Sequence, residues 1–189
     1  MDSLINLDPE ISIKISSDGS KELVKDLGFS RIRIEFVPFG VTGNVWKAYE
    51  ALAHLYARYS YRILIDMVYG HSSEYLLLLL ENGKAVVLQG YETKVVYPSK
   101  QEILFSSHTH PRAPAILSKK DIFSALDLLS KRGFVFCVVG LDGEFCIYRK
   151  LLLQEEDYEN MIYVANDIGF LDIGTLIKIA PQSIGFIKI

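Results

Sequence analysis

Ile103-Leu104-Phe105-Ser106-Ser107-His108-Thr109-His110-Pro111 reads as an apolar strand, Ile103 to Ser106, that runs into two histidines one residue apart. Residues two apart on a strand project from the same face, so both imidazoles can reach a single point and grip one metal ion. Seven residues separate His110 from Ser118 and two more separate Ser118 from Asp121, which gives the pattern H-x-H-x7-S-x2-D. Two imidazoles and one carboxylate leave a fourth position on tetrahedral zinc open, as a catalytic site requires and a structural site does not. The expectation is one Zn2+ per chain, held by His108, His110 and Asp121.

Around this segment the chain alternates between the two periods of regular structure. Ile11-Ser12-Ile13-Lys14-Ile15 alternates as a half-buried strand does, a short helix is expected from Ser20 to Leu27, and Arg31 to Phe36 alternates again before Pro38 and Gly40. Val45, Ala48, Tyr49, Leu52, Leu55 and Tyr56 then recur three and four apart and predict an amphipathic helix from Asn44 to Tyr59. Ile63 to Val68 either continues it or forms a second element. Short apolar strands follow at Tyr75 to Leu80, at Ala85 to Leu88 beyond the turn Glu81-Asn82-Gly83, and at Val95 to Tyr97. A helix is expected from Lys119 to Lys131, closed by Gly133, then a hairpin from Phe134 to Tyr148. A helix from Glu156 to Asp167 and strands at Leu176 to Ile179 and Ile184 to Ile189 complete the chain. The fold class is α/β of the α+β kind, a mixed β-sheet flanked by helices. The most economical place for the tail strands is beside the N-terminal ones, in a small accessory layer.

The chain has 189 residues, half of them hydrophobic, which suits one core rather than two independent ones. Its 20 basic and 23 acidic residues leave a net charge of −3, and no basic run exceeds a dipeptide such as Lys119-Lys120. No positive field is present to hold a phosphate backbone, so nucleic acid is not an expected partner. The N-terminus carries acidic residues and Pro9 where an export signal needs a basic start and an apolar stretch. The longest apolar run, Tyr75 to Leu80, is far short of the roughly 20 residues that span a bilayer. No membrane association is expected, and the protein reads as cytoplasmic.

The two cysteines flank Leu141-Asp142-Gly143-Glu144. A two-residue loop centred there sets Cys146 opposite Val139 and leaves Cys137 diagonally placed, which neither suggests nor excludes a disulfide; without an export signal both are expected to be reduced core thiols.

A bound zinc lowers the pKa of its water to about 7, but a base must still take the proton and deliver it to a leaving group. Glu102 shares a strand face with the histidines, yet six residues of extended chain put it about 20 Å from His108. Glu74, just before the strand Tyr75 to Leu80, is the better candidate, because an adjacent strand can set it beside the metal. Ser118-Lys119-Lys120-Asp121 also reads as a capping box, with Ser118 as N-cap and Asp121 at the third helical position. The two roles are compatible for Ser118 and compete for Asp121. His54 reads as a helix histidine that is packed or on the surface, and His71 as a loop residue.

His108-Thr109-His110-Pro111, Ser118 and Asp121 together resemble the JAMM motif of MPN-type zinc metalloproteases, H-[ST]-H-P-x6-S-x2-D preceded by a distant glutamate. Glu74 and the leucines after it resemble the family's glutamate and apolar strand, although leucines stand where the family often has a small residue. The resemblance covers about residues 44 to 150. It implies an MPN or cytidine-deaminase-like fold, with His108, His110 and Asp121 as zinc ligands, Glu74 as general acid/base and Ser118 as donor to the oxyanion. It also implies cleavage of isopeptide or peptide bonds after the C-terminal glycine of a ubiquitin-like or sulfur-carrier modifier. The resulting organisation is an N-terminal β-α-β extension over 1–40, a catalytic core over 41–152 and a helix-strand-strand extension over 153–189 packed on the same domain. The extensions are where substrate contacts or a homo-oligomer interface are expected. Two other functions fit the same residues: a non-catalytic scaffold or binding module, and a zinc amidohydrolase acting on a small molecule.

Overall fold

Five leucines in a row after Tyr75 satisfy their burial only in a strand covered on both faces, and Tyr75–Leu80 forms one near the centre of the sheet. The computed structural model describes residues 9–10, 13–17, 21–25, 31–32, 45–70, 72–90, 102–168, 170–171, 174, 178 and 181–189. Four strands come first: β1 (Pro9–Glu10), β2 (Ile13–Ser17), β3 (Lys21–Lys25) and β4 (Arg31–Ile32). Helix α1 (Val45–Gly70) leads into β5 (Tyr75–Leu80), β6 (Ala85–Gln89), β7 (Ile103–Thr109) and the short β8 (Leu117–Ser118). Helix α2 (Lys119–Ser130) precedes the hairpin of β9 (Val135–Gly140) and β10 (Gly143–Arg149), followed by α3 (Glu155–Ile168), β11 (Phe170–Leu171) and β12 (Ile184–Lys188).

Eight strands form one mixed sheet in the order β12-β10-β9-β7-β5-β6-β2-β3, with β5 antiparallel to both β6 and β7 and β7 parallel to β9. On one face α1 buries Ala53, Tyr56, Ala57, Leu64 and Val68 against Leu77, Leu79, Phe105 and Val135. Ser60, Ile63, Leu64 and Val68 continue the buried stripe of the first four turns, so the two predicted segments are one helix of 26 residues. On the other face α2 and α3 bury Ile122, Leu126, Leu129 and Met161 against Phe136, Val138, Phe145 and Ile147. At about 1.5–3 kcal/mol for each large apolar side chain fully withdrawn from water, these two layers are the main stabilising term. Among the described residues, no helix is long and apolar enough to cross a membrane.

Three expectations are corrected. The segment expected as a helix from Ser20 to Leu27 holds strand β3, which pairs antiparallel with β2 in the register Ile13↔Lys25 to Ser17↔Lys21. Asp18-Gly19 between them is a strong hairpin signal, and strand pairing outweighs the weak helical pattern. The terminal strands do not share an accessory layer: β2 lies parallel to β6 at one side of the sheet, and β12 pairs with β10 at the other. The predicted strand Val95 to Tyr97 lies outside the described residues, as does nearly all of Leu176 to Ile179 and of Arg31 to Phe36 beyond Ile32.

The third correction concerns the cysteines, which form a disulfide. The loop residues are Leu141 and Asp142, and the positive φ of 128° falls on Gly143 just after them, so Gly140 pairs with Gly143 and Cys137 stands directly opposite Cys146. A shift of one residue along the hairpin thus turns a diagonal pair into a facing one. It also takes Glu144 out of the turn and buries it completely on the α1 face, where its Oε1 accepts from the hydroxyls of Ser60 and Ser107 while Oε2 has no partner. Burial pushes the Glu144 carboxyl up to about 8 against the pull of the two hydroxyls, so it folds as the neutral acid. The unfolded chain releases that proton near 4.5, so the native state holds more protons in the window between, and stability falls as pH rises through it. Glu144→Gln is expected to flatten this loss: thermal unfolding followed from about pH 5 to about pH 8 should show the variant gaining on the wild type as pH increases.

Candidate metal centre

Strand β7 runs three residues past its predicted end, to Thr109, and so carries His108 in regular strand geometry with His110 immediately beyond. The antiparallel register of β5 and β7 pairs Leu76 with His108 and, extended by two residues, leads Glu74 toward His110. His108 packs its ring against Phe136 of β9, with centroids 5.4 Å apart, and the backbone N–H of His110 donates to Val139 O at 2.8 Å. The first contact positions the His108 ring, and the second holds the His110 backbone.

The carboxylate comes from the first turn of α2. Ser118 is the N-cap, and its Oγ accepts from Asp121 N at 3.3 Å while Asp121 Oδ2 accepts from Ser118 N at 2.7 Å, which closes the capping box. The expected competition at Asp121 does not arise. Oδ1 lies 3.1 Å from His108 Nε2, and Oδ2 lies 3.4 Å from His110 Nε2 while still accepting from Ser118 N. A carboxylate has enough lone pairs for the cap and for a second partner at each oxygen.

The two Nε2 atoms are 3.0 Å apart. Bonds of about 2.0–2.1 Å to a tetrahedral ion place its donor atoms about 3.3–3.4 Å from one another, close to the 3.0 to 3.4 Å found here. Proton sharing accounts for this cluster poorly: two N–H groups at this separation repel, and with one proton only a single bond to the carboxylate forms. A cation satisfies all three donors at once, so His108, His110 and Asp121 could hold a metal ion. Imidazole and carboxylate together suit zinc and its first-row neighbours better than calcium or magnesium. The side chains are 12%, 18% and 12% exposed in that order, so the cluster is nearly buried yet reachable from one side.

Burial opposes ionisation of Asp121, but hydrogen bonding to His108 and His110, the charge of His108 and the Ser118 hydroxyl hold its carboxyl far below the usual carboxylate range. Glu74 is shifted the other way. Partial burial raises its pKa, His108 and His110 pull it down, Asp121 pushes it up and Lys120 pulls it down, with burial prevailing. The structure therefore brings all five predicted residues, Glu74, His108, His110, Ser118 and Asp121, to one end of β5 and β7.

Glu102 lies at the far end of β7, where its backbone accepts from Glu81 N. His54 is exposed on α1, and His71 falls outside the described residues. A second group of donors, Cys137, Glu144 and Cys146, sits on the opposite face of the sheet, but its two sulfurs are joined to each other. Two features had not been foreseen. The buried Thr109 uses its side chain to hold β5, and β11 pairs Phe170 with Ser118 and so ties the C-terminal segment to the N-cap of α2. A threonine between two histidines gives no sign of its partner, and a two-residue strand has no periodicity to read.

No protein-family model matches the chain, and no curated protein matches its sequence. The metal assignment rests on donor geometry and is open to direct measurement. Zn2+ at a hundredfold excess over its dissociation constant is expected to stabilise the fold by about 2.7 kcal/mol, or roughly 5–10 °C in thermal midpoint for a chain of this size. Asp121→Ala should abolish the shift.

Proposed function

We propose that the protein is a zinc-dependent hydrolase of JAMM type that cleaves isopeptide or peptide bonds, acting after the C-terminal glycine of a ubiquitin-like or sulfur-carrier modifier. One observation carries the reading: the β5–β7 register, with Leu76 opposite His108, leads a carboxylate from outside the three-donor cluster, Glu74, toward His110 at the same end of the sheet. A purely structural metal site needs no such group. The mixed sheet with α1 on one face and α2 and α3 on the other also supports an MPN-type fold.

His108 Nε2, His110 Nε2 and Asp121 would hold the zinc, which supplies Lewis acidity and a nucleophilic oxygen at neutral pH. Glu74 takes the proton of the attacking water on its carboxylate and passes it to the departing amine nitrogen. A base that must later act as an acid works best with a pKa nearer the working pH, and burial moves Glu74 in that direction. Ser118 caps α2 through a lone pair of its Oγ, and its O–H, which supports the Asp121 carboxylate, can turn from there to the developing oxyanion. Part-exposed rings of His108 and His110 leave the approach to the scissile carbonyl open.

A scaffold role has no use for a carboxylate placed beside three metal donors, and the test separates the two. The purified chain should carry close to one zinc and cleave a fusion of a small modifier in a chelator-sensitive way. Glu74→Gln should abolish cleavage with zinc retained, whereas Ser118→Ala should lower kcat by about 10²–10³, the usual loss of one oxyanion donor. A fully active Glu74→Gln enzyme removes Glu74 from the mechanism, and cleavage of small amides but no modifier fusion assigns the site to small molecules.

A further inference from the structure

The geometry points to Thr109 as the positioning residue that sets Glu74 over the metal donors, through the hydrogen bond its side-chain oxygen accepts from the backbone N–H beside that carboxylate. The inference rests on the reading of Glu74 as the acid/base. Glu74 precedes the first residue of β5, where the pairing with β7 has ended and a strand would ordinarily fray. Hydrogen bonds hold the backbone there from both sides. On the β7 side Tyr75 N donates to Thr109 Oγ1 at 2.8 Å, and on the β6 side Gly90 N donates to Glu74 O at 2.7 Å.

Thr109 is fully buried, and it points to the α1 face while its neighbours His108 and His110 belong to the metal cluster on the other. One side chain in the middle of the H-x-H unit therefore couples the two ligating histidines to the base on the next strand. A side-chain acceptor serves here because the β5–β7 pairing ends at Leu76↔His108, one residue short of Tyr75 and Thr109. Without the hydroxyl, Tyr75 N is left buried without this acceptor and the β7 side of the clamp is lost. A displacement of about 1 Å in a catalytic group can cost a hundredfold in rate.

The variants are Thr109→Val, which keeps the shape and removes the acceptor, and Thr109→Ser, which keeps the acceptor. Three readouts apply: hydrogen exchange at the Tyr75 amide, paramagnetic relaxation of Glu74 Cδ in Co2+-loaded protein, and the split between kcat and KM. In Thr109→Val the Tyr75 amide should exchange about tenfold faster or more while the Leu77 and Leu79 amides are unchanged, which also certifies the fold. The effect of cobalt on Glu74 Cδ should weaken, metal content should stay near one, and kcat should fall about a hundredfold with little change in KM. Thr109→Ser should restore all three. Should valine not be accommodated, Thr109→Ala replaces it with the same expectations.

Wild-type protection of Tyr75 in Thr109→Val, or an unmoved Glu74 Cδ, overturns the proposal. So does an unchanged kcat in an enzyme that Glu74→Gln inactivates. If no substrate is cleaved by the wild type, the amide and cobalt measurements still decide the positioning claim, and only the hydrolase reading fails.

Discussion

The pairing of β5 with β7 is the constraint on which the site depends. Side chains alternate faces along a strand, so a slip of one residue in this register would carry the glutamate and the histidines to opposite sides of the sheet. The register is protected from both directions. Leu77 and Leu79 of β5 bury against the α1 layer and Leu78 and Leu80 are buried on the other face, so a slip would leave each against the wrong neighbours. The one irregularity in the pair, a shift between Leu79 and Leu80, lies at the end away from the histidines. Regular pairing is thus kept beside the histidines, and the mismatch is absorbed at the other end of the pair.

The start of α2 is the second fixed point, and it is economical. Helix N-termini favour carboxylates because the first N–H groups lack partners and the backbone dipoles leave partial positive charge there. Asp121 meets that demand by accepting from Ser118 N, and the same contact orients its other oxygen toward His108. Ionisation of Asp121 is therefore supported by the helix as well as by the imidazoles, and the carboxylate is in its ligating form before any ion binds. A carboxylate held only by flexible chain would spend part of the binding energy on ordering itself.

Much of this was legible because the site is local in sequence. His108 and His110 share one strand, Ser118 and Asp121 share one helical turn, and their offsets report those periods directly. Glu74 was placed by resemblance and by the need for a base; its position follows from strand pairing, which spacing along the chain does not encode. The hairpin shows how narrow the margin is. Placing the loop one residue too late exchanged a facing cysteine pair for a diagonal one and left Glu144 in a turn rather than in the core. Past Tyr59 the apolar count leaves the extent of α1 open, because Tyr61 and Arg62 interrupt it, although Ser60 and Ile63 on either side of them stay buried. Burial of a serine beneath a carboxyl group cannot be inferred from either residue alone.

Strand β7 now explains its own composition. A strand near the middle of a sheet ordinarily reads as apolar throughout, yet this one ends Ser-Ser-His-Thr. A buried polar group costs about 1–3 kcal/mol if left unpaired, so four in sequence would be prohibitive without partners. Partners are found for the last three, alternately on the two faces. Ser107 bonds the Glu144 carboxyl on the α1 side, His108 meets Asp121 on the α2 side, and Thr109 takes the Tyr75 amide. The residues that support and the residues that could ligate a metal thus interleave along a single strand, each set facing its own layer. Such a strand cannot be made more apolar without unpairing something on one face, nor shifted without unpairing both. The metal cluster and the neutral acid beneath the sheet are in this sense parts of one construction, joined through the backbone between Ser107 and His108.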